Sequence, residues 1–337
     1  MIRIRAVTGL ALAALVLWGC SSSSDDSGGA QTTESTAPST TTIPAPDAST
    51  VAEVLALGRP VVLAHAGGEN HAPHSTPFAY ASSVAAGVDV LDVDVRLTGD
   101  GVLVIHHDSD VERTTNGTGD VADMTYDELH ALDAAYWFTE DCSACADAPE
   151  DAYLYRGVRT GQVEPPPGSE PDDFAVMRFE DLVEAYPDHV LNIEIKGSYP
   201  DDVSAAAELA RILTEHDRLD AAIVTSFDDA LAESFHELAP EVAITPGLSA
   251  MTRYVLANEP LPEGRTIVQI PPEYEDIEVL TPDLVTRAHA DGLVLWIWPN
   301  ERGWENADGY DRLLDLGVDG INAADPPTAV EVVRSRS

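Results

Sequence analysis

The chain has 337 residues, and 18 basic side chains stand against 59 acidic ones, which gives a formal net charge of −41 at pH 7. This length admits one large domain or two ordinary ones. The acidic excess excludes a nucleic-acid groove, which requires a basic stripe, and it disfavours direct adsorption to an anionic lipid surface.

The chain begins with a short apolar segment that ends in a cysteine. Residues 1–19 carry arginines at positions 3 and 5 before an apolar run that is too short for a spanning helix and fits a secretory signal. Because Cys20 closes this run, the segment resembles a bacterial lipoprotein signal peptide, which implies cleavage before Cys20 and lipid on its sulfur. An ordinary signal peptide or an uncleaved anchor is the alternative. The expected location is the outer face of the bacterial cell membrane, with the exported protein held by its lipid.

A polar segment follows the signal. Residues 21–50 are rich in Ser, Thr, Asp, Ala and Pro and have almost no large apolar side chains, so burial cannot repay the entropy of ordering them. We therefore predict a disordered, lipid-anchored tether over residues 20–57 and one folded domain over residues 58–337.

From residue 60 onward, apolar strand patterns alternate with amphipathic helical patterns, which is typical of βαβ units. The predicted helices include residues 202–217, 228–239 and 281–290. Eight strands are predicted at residues 60–65, 90–96, 190–196, 221–226, 242–246, 266–270, 293–298 and 319–323. Eight strands with intervening helices predict an α/β fold of the (β/α)8 TIM-barrel type.

Charged side chains gather at the ends of the first three predicted strands. Asp92 and Asp94 stand two residues apart, so they face the same side of their strand and can converge on one cation. His65 ends the first strand, and His107 ends a short apolar run after the second strand. Catalytic residues of TIM barrels lie at the C-terminal ends of strands, so this pattern indicates an active site.

These motifs resemble the glycerophosphodiester phosphodiesterase family. The resemblance rests on H-A-G-G, LDVDVRLTGDGVLVIHHD, RTTNGTG and NIEIKG in this order, with TSFD, WIWPN and GVDGINAADPP later in the chain. It spans about residues 60–333, nearly the whole predicted domain. It implies a TIM barrel, and it implies one divalent cation, Ca²⁺ or Mg²⁺, as the cofactor.

The resemblance also implies roles for individual residues. It makes Asp92, Asp94 and Glu194 the metal ligands, and it makes His65 and His107 the general acid and base. A local positive charge is needed to hold an anionic phosphodiester in such an acidic protein, which is a further reason to expect a metal ion.

Substrate contacts are expected from three other side chains. Lys196 shares a strand face with Glu194 and would face the phosphate, although it could be only an ion-pair partner. Trp296 is expected to face the substrate, whereas Trp298 is expected to pack in the core. The chain departs from the family pattern where Ala66 replaces an arginine, where His74 replaces a glutamate that approaches the metal, and where Asp92 replaces a longer glutamate. His74 is therefore either a substituted neighbour of the metal and substrate or a bystander.

The expected reaction is metal-dependent hydrolysis of a small-molecule glycerophosphodiester to glycerol 3-phosphate and an alcohol. One alternative is phospholipase D-like or C-like action on lysolipids or sphingolipids, which depends on whether the site admits acyl chains. Another is a non-catalytic barrel used for binding. The membrane is expected as a partner only through the lipid anchor.

An insertion at residues 133–178 follows the hairpin that carries His107, and such a long loop is expected to shape access to the site. Its aromatic run at residues 136–138 could bind an apolar substrate group or anchor the loop to the barrel. The insertion also contains Cys142 and Cys145, for which a local disulfide is expected because the compartment is oxidising and no second cysteine pair completes a zinc site.

Overall fold

The protein folds as a nearly closed barrel of eight parallel strands in the computed structural model, which describes residues 45–140 and 142–336. The strands are β1 (Val61–Ala64), β2 (Val90–Leu97), β3 (Leu103–Ile105), β4 (Val190–Ile195), β5 (Ala222–Thr225), β6 (Ala243–Ile244), β7 (Ile267–Ile270), β8 (Glu273–Tyr274), β9 (Ile277–Glu278), β10 (Val294–Ile297) and β11 (Gly320–Ala323). All eight predicted barrel strands are confirmed, and so is the TIM-barrel fold.

Neighbouring barrel strands follow the order β6, β5, β4, β2, β1, β11, β10 and β7. Strand β3 lies outside this order, pairing antiparallel with β2, and β8 and β9 form a separate hairpin. Because the barrel strands are parallel, their C-terminal ends open on one face of the barrel.

Helices connect the strands and cover the barrel. They are α1 (Val51–Leu55), α2 (Pro77–Ala86), α3 (Tyr126–His130), α4 (Phe179–Ala185), α5 (Val203–Glu215), α6 (Asp229–Leu238), α7 (Leu248–Thr252), α8 (Pro282–Ala290), α9 (Ala307–Leu316) and α10 (Pro326–Ser335). The predicted helices at residues 202–217, 228–239 and 281–290 correspond to α5, α6 and α8. Helix α8 shows why the boundaries are readable from sequence, because Thr281 accepts a hydrogen bond from the Leu284 amide and proline occupies the first turn.

The N-terminal end of the barrel is filled by a dense apolar layer around Trp296. This side chain is 1 % exposed and packs with Val61, Leu63 and Val190. A Cβ atom on Gly320 would lie 2.6 Å from Trp296 Cδ1, so the absent side chain of this glycine makes room for the indole. The expectation that Trp296 faces the substrate is therefore corrected. The expectation that Trp298 packs in the core is corrected as well, because this side chain, two residues later on the same face, reaches the open end.

The folded domain begins before residue 58. Thr50 and Glu53 form a capping box at the start of α1, and Val54 of this helix is buried. The Val51 amide donates to the Asp220 carbonyl oxygen at 2.8 Å, which holds α1 against the barrel. The described fold thus includes α1, which lies N-terminal to the boundary expected at residue 57.

The predicted signal peptide and Cys20 lie outside the described residues. Within residues 45–140 and 142–336, no helix has both the length and the apolar character needed to cross a membrane.

The insertion at residues 133–178 is held together by an aromatic cluster around Arg156. The guanidinium carbon of Arg156 lies 4.2 Å, 4.7 Å and 3.4 Å from the ring centroids of Tyr136, Trp137 and Tyr153. Arg156 Nε also donates to the Tyr136 carbonyl oxygen at 2.9 Å. These contacts hold the insertion together from within, whereas the Tyr155 ring links it to α2, because it lies 5.6 Å from the Phe138 ring and 5.2 Å from the Phe78 ring. Cys142 and Cys145 form a disulfide in the same loop.

Candidate active site

A cavity of about 580 Å³ opens at the C-terminal ends of the barrel strands. It brings together most of the site residues expected from sequence. Those that line it are His65, Asp92, Asp94, His107, Glu194 and Lys196. Trp296 and His74 are not among its lining residues, and the insertion contributes Ser143.

Strand pairing explains how the three acidic side chains meet. Asp92 and Asp94 are both buried and share the face of β2 that points into the barrel. In the register between β2 and β4, Asp94 pairs with Glu194 and Asp92 pairs with Asn192. Two adjacent strands therefore bring the carboxylates of Asp94 and Glu194 to one level of the barrel, and Asp92 lies two residues earlier on the same face of β2.

Lys196 lies against two of these carboxylates. Its Nζ atom is 3.2 Å from Asp94 Oδ1 and 2.9 Å from Glu194 Oε2. Burial opposes the charge on Asp94, but Lys196 and the three nearby histidines outweigh it and hold the pKa of Asp94 well below its usual range. For Glu194, burial prevails over Lys196 and raises the pKa. The lysine thus supplies a local positive charge in an acidic protein.

Asp92 is held by a network of buried amides. Asn192 Nδ2 donates to Asp92 Oδ1 at 2.5 Å, and Gln269 Nε2 donates to Asn192 Oδ1 at 2.6 Å. Asn322 also donates to Asp92, yet burial and the charge of Asp94 still raise the pKa of Asp92. Sequence reasoning missed these three amides. The signal that could have found them is a polar side chain at an inward position of an otherwise apolar strand.

The acidic group suits a divalent cation in its chemistry. Asp94 Oδ2 is buried and has no hydrogen-bond partner, so one hard oxygen is left without a counterpart. Carboxylate oxygens are the ligands that Ca²⁺ and Mg²⁺ prefer, and crowded carboxylates are favourable beside such a charge. As the side chains stand, the described residues present no group of three His, Cys, Asp or Glu side chains arranged around one ion.

His107 is oriented by a carboxylate on its Nδ1 atom. Asp108 Oδ1 lies 2.6 Å from His107 Nδ1, and Arg113 Nε donates to Asp108 Oδ2 at 2.5 Å. Burial opposes the charge of Asp108, but His107 and Arg113 outweigh it and keep its pKa far below the usual range. The acceptor next to Nδ1 leaves Nε2 of His107 free to exchange a proton with a ligand.

His65 also has a carboxylate beside its Nδ1 atom, although this one was not expected from sequence. Glu69 Oε1 lies 3.4 Å from His65 Nδ1, four residues further along the chain. Burial would lower the pKa of His65, but the charges of Glu69, Asp92, Asp94 and Glu305 outweigh it and raise the pKa. His65 is therefore biased towards the imidazolium form.

Glycines position the turn that carries His65. Gly68 has φ of 95°, and a Cβ atom there would lie 2.8 Å from Pro326 Cδ. The backbone after β1 therefore packs directly against the start of α10. This close approach explains the glycines of H-A-G-G.

His74 lies behind Glu69, away from the cavity surface. Its Nε2 atom is 3.6 Å from Glu69 Oε2, and its Nδ1 atom forms a 2.8 Å hydrogen bond with Ser75 Oγ. Burial lowers the pKa of His74 to about 3, with the charge of Glu69 opposing this shift. His74 is therefore neutral. It contacts the acid/base region only through Glu69 and through an edge contact with the His107 ring, whose centroid is 5.9 Å away.

Glu305 is a further buried carboxyl group on the cavity wall. Tyr310 Oη donates to its Oε2 atom at 2.5 Å, while its Oε1 atom is buried without a partner. Burial raises the pKa of Glu305 to about 7. Sequence reasoning missed this residue because it lies in a loop after β10, outside the quoted motifs.

Comparison with known proteins gives this arrangement a family. The glycerophosphoryl diester phosphodiesterase family matches residues 65–327. The chain is 28% identical over 283 residues to a glycerophosphodiester phosphodiesterase of Caldanaerobacter subterraneus, covering 81% of this chain and 98% of that protein. It is 30% identical over 279 residues to the enzyme of the same name from Bacillus altitudinis, covering 80% of this chain and 97% of that one.

A solved structure supports the same fold. The phosphodiesterase of Oleispira antarctica, solved in complex with the product sn-glycerol-3-phosphate, superposes with a TM-score of 0.60 at 20% identity and covers 83% of this chain and 99% of its own. Because the family match spans most of the chain and the full-length relatives agree, this protein belongs to the glycerophosphoryl diester phosphodiesterase family and is an enzyme.

Proposed function

We propose that this phosphodiesterase hydrolyses glycerophosphodiesters to glycerol 3-phosphate and an alcohol, with His65 and His107 as the acid and base and with one divalent cation as cofactor. The observation that carries the proposal is that each histidine has a carboxylate beside Nδ1. Both also line the cavity that holds the buried carboxylates and Lys196.

The two histidines divide the proton transfers. His65 lies among four carboxylates that favour its protonated form, so it donates a proton to the departing alkoxide oxygen. His107 is backed by Asp108 and anchored by Arg113, so its Nε2 atom accepts the proton of the nucleophile. Each transfer is typically worth about 10² to 10⁴ in rate.

The phosphate is held by positive charge. Asp92, Asp94 and Glu194 would hold the cation, Ca²⁺ or Mg²⁺, which supplies charge neutralisation of a phosphoryl oxygen when bound. Lys196 supplies a second positive charge on the cavity wall. Ala66 stands where the family usually has an arginine. Lys196 therefore supplies a larger share of the positive charge that the protein itself places at the phosphate.

The nucleophile is the neighbouring hydroxyl of the substrate glycerol in the simplest form of this proposal. His107 removes the proton of that hydroxyl, and the first product is a cyclic glycerol phosphate that water then opens. The Oleispira antarctica enzyme, with its sn-glycerol-3-phosphate product, supports this substrate class. Phosphorus NMR during turnover would reveal the cyclic species directly.

A substrate panel tests the proposal. Purified protein is assayed with glycerophosphocholine and glycerophosphoglycerol, before and after EDTA treatment and after adding Ca²⁺ or Mg²⁺ back. We expect turnover to disappear with EDTA and to return with metal, and we expect Asp94→Ala to lose both metal affinity and rate. Full activity of Asp94→Ala, or of the EDTA-treated enzyme, would show that the reaction does not need the proposed cation.

We further propose that the protein is exported and anchored to the outer face of the cell membrane through lipid on Cys20. The support is the signal-like composition of residues 1–19 and the polar composition that follows. An anchored enzyme would meet its substrates at the membrane surface.

A further inference from the structure

Two side-chain amides are hydrogen-bonded to each other inside the barrel, and the proposed chemistry gives them no role. Asn192 on β4 donates from Nδ2 to Gln269 Oε1 at 3.1 Å, and Gln269 on β7 donates from Nε2 to Asn192 Oδ1 at 2.6 Å. We call these two side chains the amide pair. Asn192 is fully buried, whereas Gln269 is half-buried, and both line the active-site cavity.

The amide group of Asn192 is held at both of its ends. An asparagine side chain has two N–H donors on its nitrogen and one carbonyl oxygen. One donor of Asn192 goes to Asp92 Oδ1 at 2.5 Å and the other goes to Gln269. The carbonyl oxygen accepts from Gln269. Asn192 therefore presents its nitrogen to Asp92 and its oxygen to Gln269.

This orientation matters because only one end of Asn192 can bind a carboxylate. A carboxylate accepts hydrogen bonds and donates none, so the carbonyl oxygen of an asparagine cannot replace the nitrogen next to Asp92. If Asn192 turned over, two buried oxygens would face each other without a donor, which is costly. Such a turn would also break the hydrogen bonds to Gln269, unless Gln269 turned as well.

A second amide on Asp92 is not held in this way. Asn322 on β11 also donates to Asp92. Its Oδ1 atom, however, is buried and has no hydrogen-bond partner among the described residues. Asn192 is thus the donor to Asp92 whose orientation another side chain fixes.

Gln269 reaches Asn192 across the arc of the barrel that strand pairing leaves open. Strands β6 and β7 stand at the two ends of the strand order, and no ladder joins them among residues 45–140 and 142–336. Strand β7 pairs only with β10 in that order, where Gln269 stands in register with Trp296 of the packed N-terminal layer. The amide pair therefore links β7 to β4 across this open arc.

We propose that Gln269 is a positioning residue that fixes the orientation of the Asp92 carboxylate through Asn192. In the proposed function Asp92 is a ligand of the cation, and the consequence for cation binding rests on that function. Side chains that hold a metal-binding carboxylate typically contribute about 10- to 100-fold to metal affinity. Gln269 acts through Asn192 and not by touching the cation or the substrate.

The test titrates the full chain with Ca²⁺ or Mg²⁺ by calorimetry. Gln269→Met nearly keeps the length of the side chain and removes both hydrogen bonds, so we expect the dissociation constant of the cation to rise about 10-fold. Because Gln269 acts through Asn192, Gln269→Met should have no further effect in an Asn192→Ala background. Thr245→Val, which removes a buried hydrogen bond to Thr225 on neighbouring strands, is the matched control and should leave the constant unchanged.

Three results would overturn the inference. The first is a parent-like dissociation constant in Gln269→Met. The second is independence of Gln269→Met and Asn192→Ala, whose separate effects on the constant would then multiply in the double variant. The third is a changed KM with unaltered cation binding, because Gln269 would then contact the substrate itself.

Nuclear magnetic resonance separates this inference from the proposed function. The side-chain N–H signals of Asn192, assigned by their loss in Asn192→Ala, report its hydrogen bond to Asp92 whether or not a cation binds. In Gln269→Met we expect these signals to shift and to exchange faster with solvent. This result supports the inference even in a protein that binds no cation and hydrolyses no substrate. Unchanged Asn192 signals in a cation-dependent enzyme would overturn the inference alone.

Discussion

Each of the two active-site histidines has a carboxylate beside its Nδ1 atom, but the two carboxylates stand at different distances along the chain from their histidines. Asp108 follows His107 directly and lies 2.6 Å from its Nδ1 atom, whereas Glu69 reaches Nδ1 of His65 at 3.4 Å from four residues away. Asp108 is further held by Arg113, but Glu69 lies between His65 and His74. Glu69 therefore acts on His65 mainly through its charge.

Replacing Glu69 with glutamine should shift the pH dependence of the enzyme. Glu69 is the largest of the charges that raise the pKa of His65, so Glu69→Gln lowers that pKa. The proposed acid must be protonated to act. The loss of activity at high pH should therefore begin at a lower pH in Glu69→Gln than in the parent enzyme. The measurement is the pH profile of kcat. Glu241→Gln, at an exposed position, is the control, and identical basic limbs for Glu69→Gln and the parent would contradict this role.

Removing either histidine should affect rate without affecting metal binding. His65→Ala and His107→Ala should each lower kcat by about 10² to 10⁴, because each removes one proton transfer. The two losses should not multiply in the double variant, since acid and base act in one step. Calorimetric titration with Ca²⁺ or Mg²⁺ checks the metal. Near-normal activity in either single variant would exclude that histidine, and loss of metal binding would make it a ligand.

Side chains of neighbouring strands pack tightly and close the N-terminal end of the barrel. Trp296 on β10 is accommodated because β11 begins with Gly320, and a Cβ atom there would also lie 2.7 Å from Val61 Cγ2. Three neighbouring strands thus share one tightly packed layer. Protein interiors have little free volume, so this layer tolerates little extra bulk.

Gly320→Ala should destabilise the protein by overpacking this layer. The added methyl group meets Trp296 and Val61, and overpacking of this kind typically costs about 1–3 kcal/mol. Chemical denaturation measures the change in the free energy of unfolding. Gly303→Ala, where an added Cβ meets nothing within 4 Å, is the matched control. A Trp296→Leu change should partly rescue Gly320→Ala, and additive effects of the two changes would argue against this contact.

At the scale of the whole molecule, the buried site makes stability depend on pH. His74 is neutral because burial lowers its pKa to about 3, whereas an unfolded histidine titrates near 6.5. As pH falls below about 6.5, the unfolded state gains a proton that folded His74 does not accept, so stability falls. The carboxylates Asp94 and Asp108 have lowered pKa values and add their own loss below about pH 4.

Between about pH 6 and pH 4.5, His74 should therefore contribute a slope of up to about 1.4 kcal/mol per pH unit to the free energy of unfolding. His74→Gln keeps a hydrogen-bonding side chain but cannot bind this proton. Urea denaturation at several pH values should give a shallower pH dependence for the variant than for the parent. Parallel curves for the two proteins would mean that His74 gains its proton in the folded state as well.

Cys20 decides where the whole molecule is held if the lipoprotein proposal is correct. A single acyl chain binds membranes only marginally, whereas the several chains expected on Cys20 would hold the protein stably. Cys20→Ser should therefore release the protein from the membrane fraction or stall its processing. Membrane fractionation and mass spectrometry of the N-terminal peptide check this. Unaltered protein found free in the medium, with residue 20 unmodified, would reject the anchor.

The sequence by itself determined the strand order along the chain and the inward face of each active-site strand. Apolar runs separated by amphipathic stretches predicted all eight barrel strands, and the two-residue spacing of Asp92 and Asp94 placed both on one face. These are local properties, because side-chain direction in a strand alternates from one residue to the next.

Only the tertiary structure decided how deep each inward side chain lies and which distant groups meet. Alternation puts Trp296 and Trp298 on the same face, but depth along the barrel axis sends the first into the packed end and the second into the cavity. The amides around Asp92 likewise come from three separate strands, β4, β7 and β11. Depth and such contacts depend on how the strands stagger and how the loops fold over them, which no local pattern encodes.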